Sequence, residues 1–203
     1  MSSRKFAENF NELEGLDKIA FFAKAFGYEN AIDENAIVEI ARKNAELEGD
    51  KSEVIEELAY SYPLTLYKTF FPNRVASVFN EPFGAFAEDE LEETFLCCWH
   101  KMSKLTDGKM LVEKLSSKLD SNGDDYTVTL NLSINGEEHN FSYEIDNSYL
   151  DDYIFEQGKS LIEKFTGNTI FVDSFSDDSS IQIAYVTKQQ AKYIDKLFED
   201  MEF

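Results

Sequence analysis

YTVTLNLSINGEEHNFSYEI, residues 126–145, decides the fold. Tyr126, Val128, Leu130, Leu132 and Ile134 alternate with Thr127, Thr129, Asn131 and Ser133, which is the period of two that a half-buried strand requires. Asn135-Gly136 is the pair favoured in two-residue hairpin turns, because both central positions take left-handed backbone angles. Folding about it sets Leu132 opposite His139, Leu130 opposite Phe141, Val128 opposite Tyr143 and Tyr126 opposite Ile145, so apolar residues meet on one face. The reverse face pairs Ser133 with Glu138, Asn131 with Asn140, Thr129 with Ser142 and Thr127 with Glu144. That face carries no base.

On the C-terminal side, Ser148 and Asp151 open a helix whose stripe is Leu150, Tyr153, Ile154, Leu161, Ile162 and Phe165, and Gly167 stops it. A second hairpin with a loop at 176–179 pairs Val172 with Ile183 and Ile170 with Tyr185, leaving Asp173 and Gln182 on its other face. Thr187 and Gln190 form a capping box for a last helix. On the N-terminal side, Thr106 or Asp107 caps a helix carrying Met110, Leu111, Leu115 and Leu119. The order α-β-β-α-β-β-α over residues 106–203 implies a mostly antiparallel four-stranded sheet with helices against it.

Residues 1–105 read as a helical bundle, which makes the whole an α+β fold. Phe6, Phe10 and Leu13, then Ile19, Phe22 and Phe26, recur at helical spacing with breaks at Gly15 and Gly27. Asp33 caps a third helix closed by Gly49, and Asp50 with Glu53 caps a fourth. Pro63, Pro72 and Pro82 punctuate an aromatic-rich stretch expected to wrap the bundle as loops and short helices. Leu91, Phe95, Leu96, Trp99, Met102 and Leu105 mark one more helix. The apolar load of the middle stretch leads us to expect the two regions, 1–105 and 106–203, to pack as one compact unit.

The 203 residues are 43% hydrophobic, enough to bury a core, and carry 40 acids against 19 Lys and Arg, a formal charge of −21. Such a charge disfavours nucleic acid and anionic membrane as partners, and favours a basic protein. Between Lys118 and Lys188 stand fourteen Asp or Glu and only Lys159 and Lys164, and residues 119–158 hold no Lys or Arg. Their alternating pattern sets them apart from a disordered acidic tail. No apolar run suits a leader or a membrane span, and adjacent Cys97 and Cys98 read as reduced thiols, so a cytoplasmic location is expected.

Catalytic signatures are missing: there is no Gly-rich phosphate loop, G-x-S-x-G, His-Glu-x-x-His or Cys-x-x-Cys. His100 and His139 fall in different elements and read as structural. Asp120, Asn122 and Asp124 begin a calcium-loop spacing, but Asp125 stands where that loop needs glycine and Asn131 where it needs glutamate. The segment reads as a turn between helix and strand. No catalytic residue, metal or cofactor is expected. The carboxylates most suited to a partner are Asp124, Asp125, Glu138, Glu144, Asp151, Asp152, Asp173, Asp177 and Asp178.

The hairpin about Asn135-Gly136, the acidic helix start Leu150-Asp151-Asp152, the helix ending near Phe165 and the strand pair running into Ile183-Ala184-Tyr185-Val186-Thr187-Lys188-Gln189-Gln190-Ala191 together resemble bacterial immunity proteins of polymorphic toxin and contact-dependent inhibition systems. The resemblance covers roughly 106–197. It implies a small, acidic, cytosolic, non-catalytic protein that binds a cognate toxin domain, and a nuclease's basic surface is the natural complement. These families share no diagnostic motif, so no residue inherits a role. The competing expectations are a metal-dependent enzyme built on carboxylates, or an adaptor using the aromatic run Leu64 to Phe83.

Overall fold

The computed structural model describes residues 1–30, 32–79, 88–122, 125–145, 153–173 and 180–201. In chain order these form α1 (Ser3–Asn11), α2 (Gly15–Ala25), α3 (Glu34–Asn44), α4 (Lys51–Ala59), α5 (Pro63–Phe70), a 3₁₀ turn (Pro72–Arg74), β1 (Val75–Phe79) and α6 (Glu88–Leu105). There follow β2 (Val112–Asn122), β3 (Asp125–Ile134), β4 (Glu137–Ile145), α7 (Tyr153–Thr166), β5 (Thr169–Asp173), β6 (Ser180–Val186) and α8 (Lys188–Asp200). The fold class is α+β. Packing divides it into two compact units, Met1–Val75 with Val186–Phe203, and Ala76–Tyr185. Among the described residues no helix is long and apolar enough to cross a membrane.

The division falls elsewhere than at 105/106, for a reason visible in two helices. Tyr193, Ile194 and Leu197 of α8 are buried, and the Tyr193 ring stacks on Phe6 of α1 at 4.2 Å, so the last helix completes the first unit. The apolar stripe of α6, by contrast, lies in the core of the second unit. In the first unit the predicted caps are present. The Asp33 side chain accepts from the Asn35 and Ala36 amides, and Asp50 with Glu53 and Thr187 with Gln190 form reciprocal capping boxes. Phe6, Phe22, Phe26 and Tyr67 form a stacked and edge-on cluster at its centre.

Lys18 of α2 is 8% exposed, and its Nζ lies 4.7 Å from the Phe10 ring centroid and 4.8 Å from that of Tyr60. The ring faces attract the cation, while burial lowers its pKa below the ordinary lysine value and nearby Glu14 opposes that shift. A depressed folded pKa means that the unfolded chain holds the proton more tightly, so stability rises with pH as the ordinary value of 10.5 is approached from below. The wild-type chain should therefore gain stability relative to Lys18→Met between about pH 7 and pH 10. Urea denaturation of both at several pH values checks this; a difference independent of pH would show that the proton is held equally in both states.

The second unit holds two three-stranded sheets, of order β1-β6-β5 and β2-β3-β4, in place of the expected single four-stranded sheet. The first hairpin has the predicted register throughout, from Ser133 opposite Glu138 to Tyr126 opposite Ile145. Asn135 and Gly136 take φ of 52° and 83°, the left-handed pair that their identities foretold. Each hairpin gains a third strand from a segment whose sequence pattern suggests another conformation. β5 and β6 are joined by β1, drawn from the aromatic stretch read as loops and short helices. The 176–179 loop lies outside the described residues.

The third strand of the other sheet, β2, replaces the helix expected over Met110 to Leu119. Thr106 closes the turn after α6 instead of opening a new helix: its Oγ1 accepts from the Met110 amide and donates to the Ser103 carbonyl. Asp107 and Gly108, at φ of 53° and 78°, then turn the chain into the strand. Within β2 a bulge between Lys114 and Ser116 shifts the register, so Val112 and Lys114 lie opposite Ile134 and Leu132, but Ser117 and Leu119 opposite Leu130 and Val128. The bulge erases the period of two and leaves leucines four apart. Leu111 and Leu115 are in fact 62% and 49% exposed, so they form no core stripe.

Asn135 also binds this strand in place. Its Oδ1 accepts from the Leu111 amide at 2.8 Å, and its Nδ2 donates to the Lys109 carbonyl at 2.9 Å. Asn135→Ala should lose both bonds and place a less tolerant residue at positive φ, costing about 1–3 kcal/mol. Asn135→Asp retains the acceptor and should cost less. Thermal unfolding of the two variants separates the contributions; equal losses would exclude a role for the Leu111 bond.

One core serves both sheets. Leu91, Phe95, Trp99, Met102 and Leu105 of α6, Ile154, Phe155 and Ile162 of α7, and Val128, Leu130, Leu132 and Ile134 of β3 belong to it, with Ile170, Ile181, Ile183 and Tyr185. Gly158 of α7 leaves room for the Met102 thioether of α6, which would have to shift if a Cβ stood there. Tyr153, expected in the α7 stripe, is 49% exposed and Phe155 takes the buried place. The start proposed for this helix at Ser148 to Asp152 lies outside the described residues.

Candidate recognition surface

The outer face of β2-β3-β4 is a grid of polar side chains. Across the strands it reads Glu113-Ser133-Glu138, Ser116-Asn131-Asn140, Lys118-Thr129-Ser142 and Asp120-Thr127-Glu144. The centre is short and uncharged and the carboxylates stand on the flanking strands, because the alternation that buries Val128 to Ile134 turns every intervening residue outward. Asn131 Nδ2 donates to Ser116 Oγ at 2.8 Å, tying centre to edge. The hairpin alone has no base on this face, but β2 adds Lys118, whose Nζ lies 2.6 Å from Asp120 Oδ1. Four carboxylates thus stand against one ammonium.

Of the nine partner-binding carboxylates proposed from sequence, Glu138 and Glu144 are exposed here. Asp125 is the first residue of β3, opposite Asn122, and only its backbone is described. Asp173 ends β5 and is 8% exposed, so it is buried rather than presented on a polar face. Asp124, Asp151, Asp152, Asp177 and Asp178 lie outside the described residues. Glu113 and Asp120 join the surface only through β2, whose segment carries helical leucine spacing and a turn motif in the sequence. Leu115 on the edge strand and Leu111 just before it supply exposed apolar area that the helical spacing of their segment conceals.

Neighbouring carboxylates are otherwise engaged. Glu137 is hydrogen-bonded by Lys164 of α7, which holds its carboxyl below the usual carboxylate range. Glu92 and Glu93 of α6 lie 3.9 Å and 3.7 Å from Lys114 Nζ. His139 is on the core side opposite Leu132, as its register implied, with Nε2 3.8 Å from Glu137 Oε2. His100 is exposed on α6, beside Glu93, Cys97, Lys101 and Lys104.

No protein-family model matches the chain, and neither the curated proteins nor the solved structures include a match. The site must therefore be judged by its chemistry. Among the described residues no group of three His, Cys, Asp or Glu is placed to hold a metal ion. Asp120 and Asn122, read as the start of a calcium-loop spacing, belong to β2 and pair with Thr127 and Asp125, which is hairpin geometry. Burial pushes the Cys98 thiol up to about 12, with Cys97 beside it acting in the same direction, so Cys98 stays protonated at neutral pH. Leu64, Leu66, Tyr67 and Phe70 of the aromatic run are buried and offer no adaptor contact.

Proposed function

We propose that this is a cytoplasmic immunity or inhibitor protein that neutralises a cognate basic toxin domain, a nuclease in the simplest case, by non-catalytic occlusion. The single observation carrying this reading is the folded polar face of β2-β3-β4, with Glu113, Asp120, Glu138 and Glu144 around a Ser, Thr and Asn centre. A rigid sheet holds these acceptors at fixed spacing, so Arg and Lys of a partner meet them without an ordering cost in the backbone. The total charge of −21 adds long-range attraction for a basic surface and repels the polyanion that a nuclease would bind. Leu111 and Leu115 supply apolar contact at the edge of the same sheet, matching the mixture of polar and apolar area found at protein interfaces.

The test is co-expression with the product of the adjacent gene, read as growth rescue and as co-purification. A basic toxin domain that is captured and silenced supports the proposal. Failure to bind any toxin domain encoded beside this gene ends it.

A further inference from the structure

The first unit contains a feature that runs against the charge of the whole chain. Between α3 and α4 lies an open cleft of about 460 Å³, lined by Asn35, Val38, Glu39, Arg42, Lys43 and Lys51. Its volume is within the range of small-molecule sites. Buried Val38 floors it, and three cations stand around one carboxylate.

Acids outnumber bases 40 to 19 in the chain. Among the described residues Arg42, Lys43 and Lys51 find none at ion-pair distance. Arg42 Nη2 donates to the Gly49 carbonyl at 2.6 Å, and Lys51 Nζ donates to Asn35 Oδ1. Both heads are therefore held by neutral acceptors, with further N–H donors on each, while Glu46 and Glu48 line a second cleft on the other side of Arg42. Asp50 and Glu53, the nearest acids in sequence to Lys51, are committed to the α4 capping box. Glu39 stands four residues before Lys43, the spacing that favours an ion pair on a helix, yet the two are unpaired.

The helix dipole explains only part of this arrangement. Arg42 and Lys43 occupy the last turn of α3, where cations are favoured. Lys51 is the first residue of α4, the end where a cation is disfavoured. Its position adds positive charge to the positive end of a helix, and its Nζ reaches Asn35 in the first turn of α3, along the cleft that Arg42 and Lys43 also line. An anion between them would relieve all three.

We propose that the α3–α4 cleft binds a small phosphate-bearing anion held by Arg42, Lys43 and Lys51. The guanidinium fork suits two phosphate oxygens at once, and the two ammonium groups act as point charges on the remainder. Net charge sets the ligand's size. A nucleic acid extends beyond the roughly 8 Å over which charge is felt at physiological salt and would meet the acidic remainder of the surface, whereas a compact anion feels mainly the cleft.

The test is a titration of the full ¹⁵N-labelled chain with pyrophosphate, against sodium chloride at equal ionic strength and against succinate. Amide shifts clustered over residues 35–51, absent with sodium chloride, are expected. Lys43→Gln with Lys51→Gln, which leaves the Arg42 bond to Gly49 intact, should weaken binding at least tenfold, and Lys51→Gln alone should weaken it measurably. Pyrophosphate shifts equal to those of sodium chloride, or unchanged binding by the double variant with its spectrum still dispersed, would overturn the site. Succinate binding as tightly as pyrophosphate would overturn the phosphate assignment.

Discussion

Trp99→Ala should destabilise the unit Ala76–Tyr185 by about 3–5 kcal/mol, the usual cost of truncating a large buried ring. Trp99 is fully buried, its ring stacks on Phe141 at 4.6 Å, and its Nε1 donates to the Tyr143 hydroxyl at 3.0 Å. That hydroxyl donates in turn to Gln157 Oε1 at 2.8 Å, and the Tyr143 ring stacks on Phe95 at 4.5 Å, so α6, β4 and α7 meet around one side chain. Alanine leaves a cavity among residues fixed by these contacts and removes one hydrogen bond from a buried hydroxyl. Trp99→Phe keeps most of the volume and should cost about 1–2 kcal/mol, mainly for the lost N–H donor and imperfect fit. Against the roughly 5–15 kcal/mol that holds a domain folded, only the first is a large fraction. Urea unfolding followed by circular dichroism reads both; if two transitions resolve, the one that moves belongs to the second unit. Equal midpoints for Trp99→Ala and the wild type would refute the packing role.

The parts of the fold that the sequence revealed are those fixed by local chemistry. Asp33 and Asp50 announce helix starts because their side chains serve the amides two and three residues on, and Thr187 because its hydroxyl serves the amide three residues on. Asn135-Gly136 sets the hairpin register because few other pairs accept two left-handed residues in succession. β2 was hidden by two local features with non-local causes. Thr106 and Asp107 look like an N-cap but end α6, and the bulge after Lys114 presents Leu111, Leu115 and Leu119 at helical spacing. Which strands join which sheet is decided by packing between segments distant in the chain, as β1 beside β6 illustrates.

The candidate surface followed the same division. Glu138 and Glu144 were legible because the hairpin alone determines their side of the sheet. Glu113, Asp120 and Lys118 required β2, and Lys118 corrects the picture of a face without bases. Alternation alone places Asp173 on the outward face of its strand, whereas in the fold it is buried. Net charge counts residues and carries no information on which of them share a face.

Glu138→Lys with Glu144→Lys should slow association with the cognate basic domain about tenfold or more at low salt, while changing stability by no more than about 0.5 kcal/mol. Both residues are exposed on β4 and neither forms an ion pair among the described residues, so the fold loses little. The face itself inverts: four carboxylates and one ammonium become two carboxylates and three ammonium groups, from −3 to +1. Attraction between exposed charges is screened within about 8 Å at physiological salt, so the gap between variant and wild type should narrow as sodium chloride is raised. The control is Glu56→Lys with Glu57→Lys, exposed on α4 in the first unit, which changes net charge equally. If both pairs slow association alike, total charge steers the encounter and the sheet face is not the docking surface. If only the β4 pair does, the partner lands on the grid that the alternation of residues 126–145 creates.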